Sequence, residues 1–237
     1  MNLKLIAAAV IPAVLLLIRV YRADRLEKEP VGLILLLVIL GVLSTALASA
    51  AEQLGDIAVA YFFPDGTLEY DILLYFVVVA FSEEGFKYLL LKNRTWKSPD
   101  FNCLFDGVVY AVSVSLGFAL WENIGYVLSY GMGAAVARAL TAVPGHACFG
   151  VFMGAWYGSA KRRELQGDEQ RSARCRLMAV LVPALLHGCY DFIAVRQTEA
   201  LSTVFVVFVL GMFLVASRLV TRMSRNDEYL NPRWYPF

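Results

Sequence analysis

The chain is poor in residues that carry familiar soluble-protein motifs. Its 237 residues include only two histidines and four cysteines, and the cysteines show no CxxC spacing, so we expect them to be reduced and structural. The metalloprotease sequence HExxH is absent, as are internal repeats and low-complexity tracts. The net charge is +1, which gives no support for a nucleic-acid partner. These absences leave hydrophobic patterning as the main source of information.

Hydrophobic residues are abundant. They make up 59% of the chain and the mean hydropathy is +0.61, whereas soluble domains are roughly 45–50% apolar. The sequence therefore predicts an all-α, polytopic transmembrane helical bundle that forms a single membrane-embedded domain over residues 1–237. Apolar stretches of about 20 residues predict about seven spans. They cover residues 3–20, 31–50, 71–91, 104–128, 134–160, 176–195 and 199–219.

The basic residues predict the orientation of the bundle. Of the 21 Lys and Arg residues, 17 lie in the segments 19–28, 92–97, 161–176 and 218–233, which are alternate connections. The segment between spans two and three carries acidic residues and no Lys or Arg. The positive-inside rule then places the N-terminus outside and the C-terminus in the cytoplasm, which requires an odd number of spans.

A few ionisable residues lie within the apolar segments, where a charge is costly and usually functional. Arg138 and Asp106 are interpreted as structural, and a break is expected in span five because it contains Pro144. A rise of about 1.5 Å per residue puts the other groups at overlapping depths, between the midplane and the outer leaflet. We therefore expect them to meet in one cavity. They are Glu83, Glu84 and Lys87 in span three, Glu122 and Asn123 in span four, His146 in span five, and His187 and Asp191 in span six.

Helical spacing refines this expectation. His187 and Asp191 are four residues apart and share a helix face, so the carboxylate can approach the imidazole. Glu83 and Lys87 have the same spacing, while Glu84 points about 100° away. We expect the lysine to neutralise one glutamate while the other faces the cavity.

Two imidazoles and several carboxylates in a desolvated cavity suit hydrolysis. One hypothesis is a zinc site with His146, His187 and Glu122 as ligands. In this hypothesis Glu83 or Glu84 is the base that activates water, and Asp191 orients His187. A metal-free alternative uses a buried glutamate and a histidine to activate water, and spacing alone does not choose between the two.

Four motifs lie in four of the predicted spans. They are "EEGFK" at 83–87, "GFALWENIGY" at 117–126, "RALTAVPGHACFGVFMGAWYGSA" at 138–160 and "HGCYDF" at 187–192. In order and spacing they resemble the PrsW family of intramembrane proteases. The resemblance covers about residues 81–193, and the motif-bearing catalytic core is about 71–195.

The resemblance implies a protease of the bacterial cytoplasmic membrane. Such proteins make the first, exterior-side cut in a single-span anti-sigma factor, which leads to a stress response. The resemblance also implies a relation to the CAAX-prenyl endopeptidases and bacteriocin-processing proteins. By motif, Glu83 and Glu84 match the paired catalytic glutamates. Glu122, His146, and His187 with Asp191 match the second, third and fourth motifs.

Two departures bear on the substrate. The prenyl endopeptidases tend to have EExxxR and FxxxH, whereas this chain has EExxK and, over residues 118–122, FxxxE. These differences argue against prenylated substrates.

Three alternatives stay open at this point. One is a prenyl-type or peptide-processing endopeptidase of the same superfamily. Another is an ion- or proton-coupled carrier that uses the buried ionisable groups as a relay. The third is an inactive scaffold that binds helices through small-residue faces.

Overall fold

The computed structural model describes residues 3–196 and 198–231, whose regular structure is helical apart from one isolated bridge between Cys103 and Tyr229. The predicted all-α class is confirmed. The helices are α1 (Leu3–Ala23), α2 (Val31–Phe62), α3 (Leu68–Ile72), α4 (Ala80–Thr95), α5 (Asp106–Leu140), α6 (Ala142–Leu165), α7 (Glu169–Val195) and α8 (Glu199–Arg225). A π-helical stretch, Leu73–Val79, joins α3 to α4 without a break.

Helix α5 is the centre of the bundle. Its first 14 residues, from Asp106 to Ala119, are all buried, because α1, α2, α4 and α6 pack around it. The sequence of this stretch is rich in Val, Ala, Gly and Ser, whose small or compact side chains let neighbouring backbones approach closely. The outward-facing side chains of α1, α2 and α8 are large and apolar, as lipid contact requires.

Glycines set the distance between the central helices. A Cβ atom added to Gly41 of α2 would lie 2.0 Å from the carbonyl oxygen of Val114. One added to Gly117 of α5 would lie 2.1 Å from the carbonyl oxygen of Val38. Helices α2 and α5 are therefore in backbone contact, and no larger residue fits at either position without separating them.

The length of helix α2 differs from the sequence prediction. Helix α2 continues to Phe62, whereas the second span was predicted to end at residue 50, so Glu52 and Asp56 are helical rather than part of a connection. The Tyr70 hydroxyl donates a 2.6 Å hydrogen bond to Asp56, which fixes this extension against α3. The break expected in span five is confirmed, since Thr141 has non-helical backbone angles between α5 and α6.

Five helical stretches of the described chain are long and apolar enough to cross a membrane, so the protein is a multi-pass membrane protein. One of the five covers both α5 and α6, over residues 106–165. The segment 68–95, which carries the buried charges, is not among them. The count of seven spans and the outside position of the N-terminus stay predictions.

The backbone contact between α2 and α5 predicts that a larger side chain at this contact lowers the stability of the protein. Gly117→Ala should lower the free energy of unfolding in detergent by about 1–3 kcal/mol, because the new methyl group collides with the α2 backbone. Gly125→Ala on the same helix is the matched control, since nothing lies within 4 Å of the position that its methyl group would take. Thermal unfolding of both variants measures the difference. Equal stability of the two would contradict the packing described here.

Candidate active site

The buried charges of α4 lie immediately after the π-helical stretch. Glu83 and Glu84 stand in the first turns of α4, and Lys87 follows one turn later. All three side chains are buried, with Glu84 and Lys87 at 0% exposure. Wide π turns inside α-helices occur frequently at functional sites. The sequence and backbone thus place three ionisable groups in the interior of the bundle, where Glu84 and Lys87 have no contact with water.

Lys87 connects these groups. Its ammonium lies 2.7 Å from Glu84 Oε1, 3.1 Å from Glu83 Oε2 and 3.2 Å from His146 Nδ1. The expectation that the lysine neutralises only one glutamate is therefore wrong, because i+3 and i+4 spacing both bring a carboxylate to the same ammonium. The ring of Phe118 covers the ammonium at 3.9 Å. This aromatic face adds a favourable electrostatic contact and excludes water.

The two histidines meet beside these groups, as the depth argument predicted. Their ring centroids are 5.3 Å apart. His187 Nδ1 lies 3.0 Å from Glu84 Oε1, and its Nε2 lies 3.4 Å from Asp191 Oδ2. Phe149 stacks on the His187 ring at 4.7 Å. Both nitrogens of this imidazole thus face carboxylates from opposite sides.

His146 has a parallel arrangement. Its Nδ1 is within hydrogen-bond distance of the Lys87 ammonium, and its Nε2 lies 3.0 Å from Glu122 Oε2. Because an ammonium can only donate, Nδ1 must accept and Nε2 must carry the proton that Glu122 accepts. Each imidazole therefore has one nitrogen toward the α4 residues and the other toward an outer carboxylate. Glu122 serves His146 as Asp191 serves His187.

A cavity of about 450 Å³ adjoins this cluster. The side chains of Glu122 and Asp191 each remain 23% exposed, so water reaches the outer carboxylates. The cavity is lined by helices α2, α4, α5, α6 and α7 and by the π-helical segment. Its ionisable lining residues are Glu52, Tyr75, Glu83, Glu122, Tyr126, Arg138, His146, His187, Tyr190 and Asp191.

Two residues of the cavity wall, Glu52 and Arg138, were not predicted from the sequence to belong to the site. Glu52 was assigned to a connection, but the longer α2 carries it to the cavity, where its Oε1 is buried and has no hydrogen-bond partner. Arg138 was interpreted as structural. It donates hydrogen bonds to Glu122 at 2.7 Å and Asn123 at 3.1 Å, so it fixes the carboxylate that contacts His146. For Glu52, the apolar residues that continue beyond it in the sequence were the signal that α2 is longer than predicted.

Four buried residues form a group that suits a metal ion. One ligand atom from each of Glu83, Glu84, His146 and His187 lies within 4.8 Å of all the others. Imidazole nitrogen and carboxylate oxygen are ligands of transition metals such as zinc, and Glu84 Oε2 is buried with no hydrogen-bond partner. The donor set therefore fits a metal. Glu122, predicted as a ligand, is outside this group and contacts His146 from the far side.

Comparison with known proteins identifies the family. A sequence model described as "PrsW family intramembrane metalloprotease" matches residues 29–217, which is most of the chain. The chain belongs to the PrsW family. It is therefore an intramembrane protease, with the lipid bilayer as its surroundings and a membrane protein as its substrate.

Curated relatives agree with this membership over almost the whole length. "Protease PrsW" of Geobacillus kaustophilus is 34% identical over 98% of this chain and 96% of its own. "Protease PrsW" of Halalkalibacterium halodurans is 30% identical over 95% of this chain and 99% of its own. That of Bacillus subtilis is 33% identical over 80% of this chain and 82% of its own. No solved structure gives a significant match.

The hydrogen bonds of Arg138 predict that its replacement lowers the stability of the protein. Arg138→Leu should lower the free energy of unfolding by about 1–3 kcal/mol, because Glu122 and Asn123 lose their hydrogen-bond donor. Arg162→Leu is the control, since its ion pair with Glu228 is about one-third to one-half exposed and should contribute less than about 1 kcal/mol. Denaturant unfolding in detergent compares the two. An equal loss in both variants would show that the Arg138 contacts add nothing.

Proposed function

We propose that this PrsW family protease makes the first, exterior-side cut in a single-span anti-sigma factor within the bacterial cytoplasmic membrane. The observation that carries the proposal is the buried group of two glutamates and two histidines at the wall of a cavity. Hydrolysis inside a membrane needs a confined supply of water and groups that activate it. Both requirements are combined at this position.

The metal in this proposal is zinc. His146 and His187 would hold it through Nδ1, the nitrogen that each turns toward the α4 residues, together with Glu84. Glu122 and Asp191 contact the opposite Nε2 atoms, an arrangement that orients metal-binding imidazoles. Lys87 is a competing cation at these donors, so its side chain would have to move. A zinc ion supplies Lewis acidity toward the scissile carbonyl.

Glu83 is the proposed general base. It lines the cavity, whereas Glu84 is fully buried and is held by Lys87 and His187. Glu83 would accept a proton from a water molecule as the water oxygen attacks the peptide carbonyl carbon. The same carboxyl group would then give that proton to the amide nitrogen as the C–N bond breaks. The products are one carboxylic acid and one amine, and transfer of the acid's proton to the amine gives the carboxylate and the ammonium.

The position of the cavity supports a cut near the exterior surface. Its lining includes Val195 at the end of α7 and Tyr126 in the second half of α5. Both residues lie toward the side of the bundle that is opposite to the connections carrying most Lys and Arg residues. In the predicted orientation they face the exterior. The choice of an anti-sigma factor follows from the family resemblance.

Substitution of the four clustered residues tests the proposal. Glu83→Gln should reduce cleavage of a co-expressed single-span anti-sigma factor by at least about 100-fold, a loss typical of removing an acid–base group. Glu84→Gln, His146→Ala and His187→Ala should reduce cleavage at least as much, because each removes a proposed metal ligand. Glu69→Gln, an exposed carboxylate on α3, is the control and should cleave normally.

Mass spectrometry of the cleaved fragments gives the scissile bond in the same assay. The proposal expects a bond in the outer half of the substrate span. A bond near the cytoplasmic face would contradict the exterior-side assignment, and full activity of all four variants would contradict the active site itself.

Metal content distinguishes ligands from orienting residues. His146→Ala and His187→Ala should purify without zinc, whereas Glu122→Gln should keep it with an affinity lowered about 10–100-fold, as expected when an orienting carboxylate is lost. Elemental analysis of purified protein, before and after chelation, measures zinc directly. Complete loss of zinc in Glu122→Gln would instead restore Glu122 as a ligand, and zinc-free active protein would favour the metal-free mechanism.

A further inference from the structure

A second group of buried carboxylates lies at the opposite end of the bundle. Asp24 and Glu29 belong to the connection between α1 and α2, and Asp106 begins α5. Their exposed fractions are 1%, 2% and 0%. One oxygen from each residue lies within 4.8 Å of the other two. Three carboxylates at this distance repel one another strongly unless a positive charge or protons compensate them.

Hydrogen bonds satisfy only part of this group. Asp106 Oδ2 accepts from the backbone N–H groups of Asn102 and Cys103, at 2.9 and 2.6 Å. Glu29 Oε2 accepts from the Tyr110 hydroxyl at 2.7 Å. The remaining oxygens, Asp106 Oδ1, Glu29 Oε1 and both carboxylate oxygens of Asp24, are buried and have no hydrogen-bond partner. Buried oxygens of this kind are nearly always bonded to something.

The nearest lysine does not pair with these carboxylates. Lys28 donates to the backbone carbonyl oxygens of Tyr21, Arg22 and Asp24 instead. Within residues 3–196 and 198–231, no ion pair closer than 4.0 Å includes Asp24, Glu29 or Asp106. The negative charge is therefore not balanced by a direct ion pair in the part of the protein that the structure describes.

Two neighbouring oxygen atoms also favour a bound cation. Asp227 Oδ2 and Asn102 Oδ1 are also buried without a hydrogen-bond partner.

We propose that Asp24, Glu29 and Asp106 bind a divalent cation that prefers oxygen ligands, of the Mg²⁺, Ca²⁺ or Mn²⁺ class. The donors are carboxylate oxygens alone, without the imidazole or thiolate that zinc and copper favour. Three carboxylates with unbonded oxygens give a ligand set that water molecules complete. This site is separate from the zinc site proposed for proteolysis, which has nitrogen ligands and lies in the other half of the bundle.

The cation would join three parts of the chain. Asp24 and Glu29 fix the turn between α1 and α2, and Asp106 fixes the start of the central helix α5. The C-terminal segment meets the same region, since Asp227 accepts a 2.8 Å hydrogen bond from the Phe105 N–H. The expected consequence is structural: the bound cation stabilises the end of the bundle that carries the basic connections.

Binding of Mn²⁺ to the purified full-length protein tests this site. Electron paramagnetic resonance should show one saturable Mn²⁺ site that Mg²⁺ or Ca²⁺ displaces. Asp24→Asn and Glu29→Gln should each weaken Mn²⁺ binding by at least about 10-fold, because each removes a charged ligand. Glu228→Gln, at a half-exposed carboxylate on the same end of the bundle, should bind like the parent protein. His187→Ala should also keep the signal, because it alters only the other cluster.

Thermal unfolding gives a second readout that does not depend on proteolysis. The parent protein should unfold at higher temperature with added Mg²⁺ or Ca²⁺, because a cation bound only to the folded state stabilises it. Asp24→Asn should unfold at higher temperature than the parent in cation-free buffer and should not respond to added cations. The proposal is overturned if Mn²⁺ does not saturate, if Asp24→Asn and Glu29→Gln bind it normally, or if His187→Ala abolishes the signal. Protonated carboxylates would then account for the group.

Discussion

The site depends on the burial of one ammonium among anionic groups. Lys87 has no contact with solvent and lies within 3.2 Å of Glu83, Glu84 and His146. In hydrocarbon, an isolated charge of either sign is strongly unfavourable, whereas a compact set of opposite charges and hydrogen bonds is tolerated. The same contacts that make the charges tolerable also hold two carboxylates and an imidazole at fixed distances. The charge balance that stabilises this cluster therefore also brings together the residues that we propose as metal ligands.

Packing of the central helix determines where the remaining groups lie. Helix α5 is in backbone contact with α2 through Gly41 and Gly117 and with α6 through Gly107 and Gly154. Because these helices pack so closely, side chains from α2, α4, α6 and α7 can reach one common cavity. Each imidazole then lies between the α4 residues and an outer carboxylate, with His146 Nδ1 toward the Lys87 ammonium and His187 Nδ1 toward Glu84. This arrangement supports the proposed role of Glu122 as an orienting residue rather than a ligand.

Much of this arrangement could be predicted from the sequence. Helical rise and the positions of polar residues within apolar segments were sufficient to predict that Glu83, Glu84, His146 and His187 would meet. The position of Glu52 at the cavity was not predicted. An apolar stretch in the sequence ends where acidic residues begin, even where the helix itself continues. The contact that extends α2, from Tyr70 to Asp56, joins residues whose proximity depends on the tertiary fold.

The orientation of the two histidine rings could not be predicted from the sequence either. Spacing showed that Asp191 could approach His187, but it did not show which nitrogen would face which carboxylate. For His146 the answer depends on Lys87, 59 residues away, because an ammonium forces Nδ1 to accept. The acidic group of Asp24, Glu29 and Asp106 was missed for a similar reason. Its members are separated along the chain and each resembles an ordinary residue at a helix end.

The length of α2 has a consequence for the surrounding lipid. Its 32 residues extend about 48 Å, whereas the hydrocarbon layer is about 30 Å thick. The helix must therefore lean or emerge among the head groups. Its last turns, beyond Glu52, expose Leu54, Ile57 and Phe62 by 69–73%, so apolar surface continues past the expected depth of the acyl chains. Lipid beside the cavity would have to deform locally to cover that surface. A substrate helix that approaches the cavity would therefore meet a bilayer of altered thickness.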